Sequence, residues 1–231
     1  MPPFVRRLSI GVCALTLTVL LAVGGCDRPP PTGQRTAPPG SVDVPSARLV
    51  DSMTVVLDRF RATSAPSPAD SATLRRWIEA VPAAADSLAP PQTQQAFRTA
   101  LHAARVLDDS ARVVRSLGGL GQAHEQQSQY EKALARYEEA LAISRALGLQ
   151  EQGAARLHDI GEVRRAQGRY AEAEGPFAEA LEIRRALNDR AGLARTLNNA
   201  GLAHEYQGNY GEARRRYEES LTIKRELGDR E

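Results

Sequence analysis

The sequence predicts an all-α protein, a solenoid of antiparallel helix pairs stacked one after another. Three observations carry that expectation. Residues 111–150, 151–190 and 191–230 lie under one another without a gap, at a period of 40. Within each block the apolar and small residues fall at helical spacing twice over, so each block is a helical hairpin. Turn-forming residues stand between the two runs and again at the end of each block, where helices must stop and restart.

The segments before the repeats are read in chain order. Arg6 and Arg7 precede an apolar run over residues 8–23, which ends in Val23-Gly24-Gly25-Cys26. A run of this length after a basic pair reads as a secretion signal. It is shorter than the roughly 20 residues that span a bilayer, which makes an uncleaved anchor the weaker alternative. The ending resembles the lipobox of bacterial lipoproteins, where a cysteine after small residues is acylated and becomes the new N-terminus. That resemblance implies a signal peptide over 1–25 and lipid on Cys26, against the plainer reading of Cys26 as a free thiol. It also implies localisation in the bacterial envelope, on the outer side of the cytoplasmic membrane or in the outer membrane; Asp27 leans toward the former. Residues 26–45, rich in Pro and Gly, cannot bury enough apolar surface to fold and read as a tether.

Residues 46–110 form an N-terminal helical region. Leu49, Met53, Val56, Leu57 and Phe60 mark one amphipathic helix over 46–62, with Ser46 placed to cap it. Setting 71–110 in the 40-residue frame puts Trp77 under the Leu117 column, Phe97 under the Tyr137 column and Ala100-Leu101 under Ala140-Leu141. Val81 stands in the glycine column and Pro82 is expected to interrupt the first helix, so this is a degenerate repeat.

In the three full repeats whole columns agree. Leu117, Leu157 and Leu197 coincide, as do Gly121, Gly161 and Gly201, and Ala133, Ala173 and Ala213. Further columns hold Tyr130, Tyr170 and Tyr210, then Tyr137, Phe177 and Tyr217, then Leu141, Leu181 and Leu221, then Leu147, Leu187 and Leu227. The mid-block breaks fall at 127–129, 167–169 and 207–209, where Gly168 and Gly208 suit the left-handed geometry that ends a helix. Asn209 is expected to cap the next helix, with Glu212 reaching back to complete a capping box.

This column pattern resembles the tetratricopeptide repeat. The glycines match its small first-helix residue, Ala133, Ala173 and Ala213 its second-helix alanine, Tyr137, Phe177 and Tyr217 its aromatic, and Ala140, Ala180 and Ser220 its next small residue. The period is 40 rather than about 34, and Arg145, Arg185 and Arg225 stand at its closing proline. Both departures, and the Leu197-Asn198-Asn199 run, resemble the longer-helix subclass of kinesin light chains. The resemblance implies a right-handed superhelix whose concave surface takes a protein or peptide. The residues it places there are Arg115, Gly118, Glu125 and Gln126 in the first repeat, His158 and Arg165 in the second, and Arg195, Asn198, Glu205 and Tyr206 in the third. A groove of guanidinium, amide and phenol groups hydrogen-bonds an extended backbone and pairs with carboxylates; the alternative is a solvated helix face.

Composition narrows the function classes. The chain has 30 Lys plus Arg against 28 Asp plus Glu, a formal charge of +2 that falls to zero once Arg6 and Arg7 leave with the signal. Without a basic block it lacks the field that draws proteins to nucleic acid. No Gly-Lys-Ser/Thr phosphate loop or Gly-x-Ser-x-Gly elbow is present, so no catalytic residue is expected. His124 and His204 share one packing column and read as scaffold, which leaves no expected metal or cofactor site. The function expected is that of a membrane-tethered scaffold. The alternative is the regulatory front of a longer enzyme, since similar arrays precede caspase-like peptidase domains. The last helix carries Tyr217, Leu221, Ile223 and Leu227, expected as interior positions with nothing to cover them, which predicts self-association.

Overall fold

The computed structural model describes residues 67–228 together with residues 51, 54, 55, 57 and 58. The segments read as signal peptide and tether, Cys26 included, lie outside the described residues, as does most of the helix expected over 46–62. Its described members are helical, and Leu57 is buried with Leu74 and Ile78.

Between residues 68 and 227 the chain forms eight helices: α1 (Pro68–Ala85), α2 (Pro90–Val106), α3 (Ser110–Glu125), α4 (Tyr130–Ala146), α5 (Gln150–Ala166), α6 (Tyr170–Ala186), α7 (Arg190–Tyr206) and α8 (Tyr210–Leu227). The even-numbered helices begin 40 residues apart, and α2 keeps that spacing, so the degenerate segment is a helix pair in register with the others. Each helix packs on its neighbours in sequence, and α1, α3, α5 and α7 also touch one another in succession. The first helices therefore line the inner side of the stack. Pro82 does not interrupt α1, which runs on to Ala85. The side chain is exposed near the helix end, where one lost backbone bond costs least.

Every stop from α2 onward uses one residue in the left-handed region. Gly148, Gly168, Gly208 and Gly228 have φ of 66°, 74°, 79° and 82°, and Asp108, Ser128 and Asn188 take the same place at 51°, 55° and 55°. The residue that follows donates its backbone N–H five positions back: Gln129 to His124 at 2.9 Å, Leu149 to Ser144 at 2.8 Å, and Arg169 to Arg164 at 2.9 Å. This closes the helix with its last carbonyls satisfied. Asp109 and Asp189 cap α3 and α7 by accepting from the N–H groups of Arg112 at 3.0 Å and Gly192 at 2.9 Å. Asn209 makes no such side-chain bond, and the capping box expected at α8 is absent because Glu212 pairs with Arg215 and Arg216 instead.

The glycine and aromatic columns are two halves of one contact. A Cβ on Gly161 would stand 2.5, 2.7 and 2.8 Å from three atoms of the Phe177 ring, and Gly121 and Gly201 are approached in the same way by Tyr137 and Tyr217. Only glycine lets the ring come this close to the first helix. Ala133, Ala173, Ala140 and Ala180 are sealed beneath it. The leucines at 147, 187 and 227 are not interior: they are 50%, 40% and 49% exposed, because they occupy the helix ends where the chain turns out. Leu221 is 41% exposed where Leu181 is buried against the following pair.

Arginine at the closing-proline position also has a structural reason. Arg105, Arg145 and Arg185 reach Glu139, Glu179 and Glu219 of the next pair at 2.6, 2.6 and 2.9 Å, always 34 residues on. These rungs are exposed, so each contributes at most about 1 kcal/mol.

Candidate functional site

The first helices enclose a groove of about 810 Å³ along α3 and α5, reaching Pro82 at one end and Arg195 at the other. Of the residues expected on a concave surface, Arg115, Gly118, Glu125, Gln126 and Arg195 line it. Gly118 lies at the floor beneath Arg156, whose guanidinium carbon would be 2.5 Å from a Cβ there. That guanidinium lies 5.6 Å from the Tyr137 ring centroid and pairs with Asp159 at 3.0 Å.

The other five are placed differently. His158 is buried behind the wall, where α5, α6 and α7 meet, and faces the Phe177 ring edge-on at 5.9 Å. The family resemblance implies an open surface for it; instead the Phe177 ring and the Thr196 hydroxyl, 3.1 Å from Nδ1, enclose the imidazole as packing. Arg165 is half-buried, its charge acting on Glu125 and Glu162. Asn198 sits beside Arg195 in a separate depression with Lys224 and Leu227. Glu205 and Tyr206 are exposed: Glu205 accepts from the Tyr217 hydroxyl at 2.6 Å, and Tyr206 stacks on Tyr170 at 5.0 Å.

Glu125 has a structural partner too, the Tyr137 hydroxyl at 2.9 Å. The middle repeat has Phe177, with no hydroxyl to donate, and Arg165 stands in the place of the glutamate. The two columns change together. Sequence columns alone carry that signal, which the reading of Glu125 and Glu205 as ligand contacts overlooked.

The residues missed are on α5: Glu151, Gln152, Arg156, Asp159 and Glu162 all line the groove. Burial raises the carboxyl of Asp159 above the usual range, with Arg156 opposing it. Burial likewise raises Glu125, against the hydrogen bond from Tyr137. At Glu162 burial acts in the same sense, but the contact with His158 at 3.1 Å and its charge outweigh it, and the carboxyl is lowered. Three carboxylates thus stand in the centre of the groove with arginines around them. Gln152 Oε1 and Arg156 Nε are buried there without a hydrogen-bond partner. The two scaffold histidines lie elsewhere: His124 is buried between Gln94 at 3.1 Å and Gln129 at 2.9 Å, and His204 is buried under α6 and α8.

Among the described residues no helix is long and apolar enough to cross a membrane. No curated protein sequence matches the chain significantly. Solved structures do match in fold. BtubC (BKLC) from P. vanneervenii superposes with a TM-score of 0.63 at 22% identity, over 80% of this chain and 75% of that one. Aspartyl phosphate phosphatase F from Bacillus subtilis gives 0.64 at 13% identity, over 80% of this chain and 50% of that one. A Rap protein complexed with Competence and Sporulation Factor gives 0.64 at 18% identity, over 78% of this chain and 49% of that one. The chain therefore spans about half the length of the last two. At these identities the likeness is one of fold. A family model described as tetratricopeptide repeat matches residues 90–146 and 153–226, more than half of the sequence, and the chain belongs to the tetratricopeptide repeat family.

Proposed function

We propose that the groove along α3 and α5 binds an extended segment of a peptide or protein partner, and that the chain is a binding module rather than an enzyme. The observation that carries this reading is the set of buried polar atoms that end in the groove unpaired, Gln152 Oε1 and Arg156 Nε. A buried polar group without a partner is costly, and a ligand's backbone amide would supply the missing donor and acceptor. A Rap protein similar in fold is complexed with Competence and Sporulation Factor, which supports a binding role by analogy at the level of fold alone. The exposed guanidinium groups of Arg115 and Arg195 at the groove's edges would pair with acidic side chains of the partner.

The same reading places the module at a membrane. Arg6-Arg7, the apolar run over 8–23 and Val23-Gly24-Gly25-Cys26 support acylation of Cys26 and tethering outside the cytoplasmic membrane through residues 27–45.

The experiment is selection of ligands from a random peptide library displayed against the full chain. Selected peptides should lose at least about tenfold in affinity, or 1.4 kcal/mol, when Arg115→Ala and Arg195→Ala are combined, with the circular dichroism spectrum unchanged. Affinity indifferent to both changes would move the binding surface off this groove.

A further inference from the structure

We propose that His158, Asp159 and Glu162 form a site for a divalent transition-metal cation of the zinc class, set in the wall of the groove. One ligand atom from each of the three residues, an imidazole nitrogen and two carboxylate oxygens, lies within 4.8 Å of the others. A tetrahedral ion bound at about 2.0–2.2 Å from each ligand holds its ligands about 3.4 Å apart, so closing on it needs the most distant pair to draw in by about 1.4 Å at most.

The orientation of His158 is the second observation, independent of the carboxylates. The residue is 1% exposed. Nδ1 lies 3.1 Å from the hydroxyl of Thr196, and that hydroxyl directs its single proton to the Gly192 carbonyl at 3.0 Å. We assign the Nδ1 proton accordingly: Nδ1–H donates to Thr196 Oγ1, and the other ring nitrogen is turned to the carboxylates. Nε2 stands 3.1 Å from Glu162 Oε2. Two lone pairs cannot share that gap, so either a second ring proton or a cation fills it. A histidine whose far nitrogen donates to a fixed oxygen while its near nitrogen faces carboxylates has the outer support that metal-ligating imidazoles use. Asn199 completes the set. Its side-chain amide is 2.8 Å from Glu162 and 3.4 Å from Nε2, and turned over it would present its oxygen as a fourth ligand.

The chemistry is confined to the middle repeat. The places of His158, Asp159 and Glu162 are held by Gly118, Gly119 and Gln122 in one sibling and by Asn198, Asn199 and Leu202 in the other. Scaffold columns repeat; these three do not. Imidazole with carboxylate and amide oxygen suits zinc and its neighbours rather than calcium, which takes oxygen ligands only. The arginines nearby oppose a cation, but Arg156 binds Asp159 through Oδ2, which leaves the other oxygen for an ion. With Asn199 on α7 as a ligand, the ion would tie α5 to α7 across the wall of the groove.

The test is titration of the chelator-treated full chain with zinc alone and, separately, cobalt alone, followed by calorimetry and by cobalt's visible absorption. One ion per chain is expected at micromolar concentration. Glu162→Gln and Asp159→Asn should each weaken it at least tenfold, and Thr196→Val by about tenfold to a hundredfold through loss of the outer support. These three variants leave the buried imidazole in place, and unchanged circular dichroism verifies that they fold. Absence of binding at micromolar zinc would overturn the proposal. So would a cobalt spectrum dominated by thiolate charge transfer and indifferent to the Glu162 and Asp159 changes, which would assign the ion to cysteine.

Discussion

Two glycine-to-alanine changes in neighbouring helices should have opposite signs. Gly161 in α5 lies against Phe177, with three ring atoms 2.5–2.8 Å from where its Cβ would be, while Gly175 in α6 is exposed with nothing within 4 Å. Alanine gains about 1 kcal/mol over glycine in a helix interior, and Gly175→Ala should show most of that gain. At Gly161 the same gain meets a fully buried ring that is hemmed in by His158, so the ring or the backbone must move by nearly 1 Å to restore contact near 3.5 Å. Overpacking of this kind costs about 1–3 kcal/mol; with three ring atoms below 3 Å the upper half of that range applies, and the net loss is about 1–2 kcal/mol. Urea unfolding followed by circular dichroism at the helix band, with slopes compared, reads both changes. The difference between the two variants should be about 2–3 kcal/mol. Phe177→Leu, which replaces the ring by a smaller side chain, should make Gly161→Ala nearly neutral in the double variant. If Gly161→Ala stabilises as much as Gly175→Ala, the close approach does not exist and the pairing of glycine with the aromatic column is wrong.

Replacing Gly175-Pro176 by Ala-Arg, the pair at 135–136 of the first repeat, should raise the melting temperature, since α6 runs unbroken through a proline that removes one backbone bond; a fall would show that the proline is needed for packing. Ser128→Gly should stabilise by about 1 kcal/mol, because φ of 55° strains a residue with a Cβ, and no change in urea midpoint would contradict this. The Asp109 carboxyl is held low: burial raises it, but the Arg112 N–H and guanidinium outweigh burial. Its contribution is therefore present above the unfolded value near 4 and lost as pH falls through the depressed folded value. Asp109→Asn, which keeps the cap, should cost up to about 1 kcal/mol at pH 7 and nothing near pH 2, and a gap that persists in acid would refute the assignment. A fatty-acid probe should label the wild type and not Cys26→Ser; equal labelling ends the lipoprotein reading. Leu221→Glu should abolish self-association seen at micromolar concentration by sedimentation, and a wild type that sediments as a monomer leaves the exposed end of α8 without that role.

What was legible in the sequence follows from how much of it is repeated. Columns such as Leu117, Leu157 and Leu197 announce buried positions three times over, and the helix starts follow at the same period. Single-copy features gave less. Pro82 reads as a break because the sequence does not say that its side chain faces solvent close to the helix end. The Leu147 column reads as interior because apolar identity does not distinguish a core position from a helix end that turns outward. At the groove, Arg115, Gln126 and Arg195 were found because they vary between copies. His158 varies as well, and there variation marked a buried cluster rather than an open surface. Asp159 and Glu162 were passed over beside it, although the run His-Asp-x-x-Glu occurs in one repeat only.

The salt-bridge rungs have a bearing on how an array of this kind changes length. Each rung joins an arginine to a glutamate 34 residues later. Removal of residues 151–190 in one piece would bring Glu219 to the place that Glu179 now holds opposite Arg145, and gaining a 40-residue block would add a rung with both halves supplied. The outer face is thus indifferent to how many units a gene carries. The inner wall is not, because His158, Asp159 and Glu162 would leave with that one segment. A lineage of such proteins would be free to lengthen or shorten its frame by unequal recombination, while losing or keeping the groove's chemistry as a single unit.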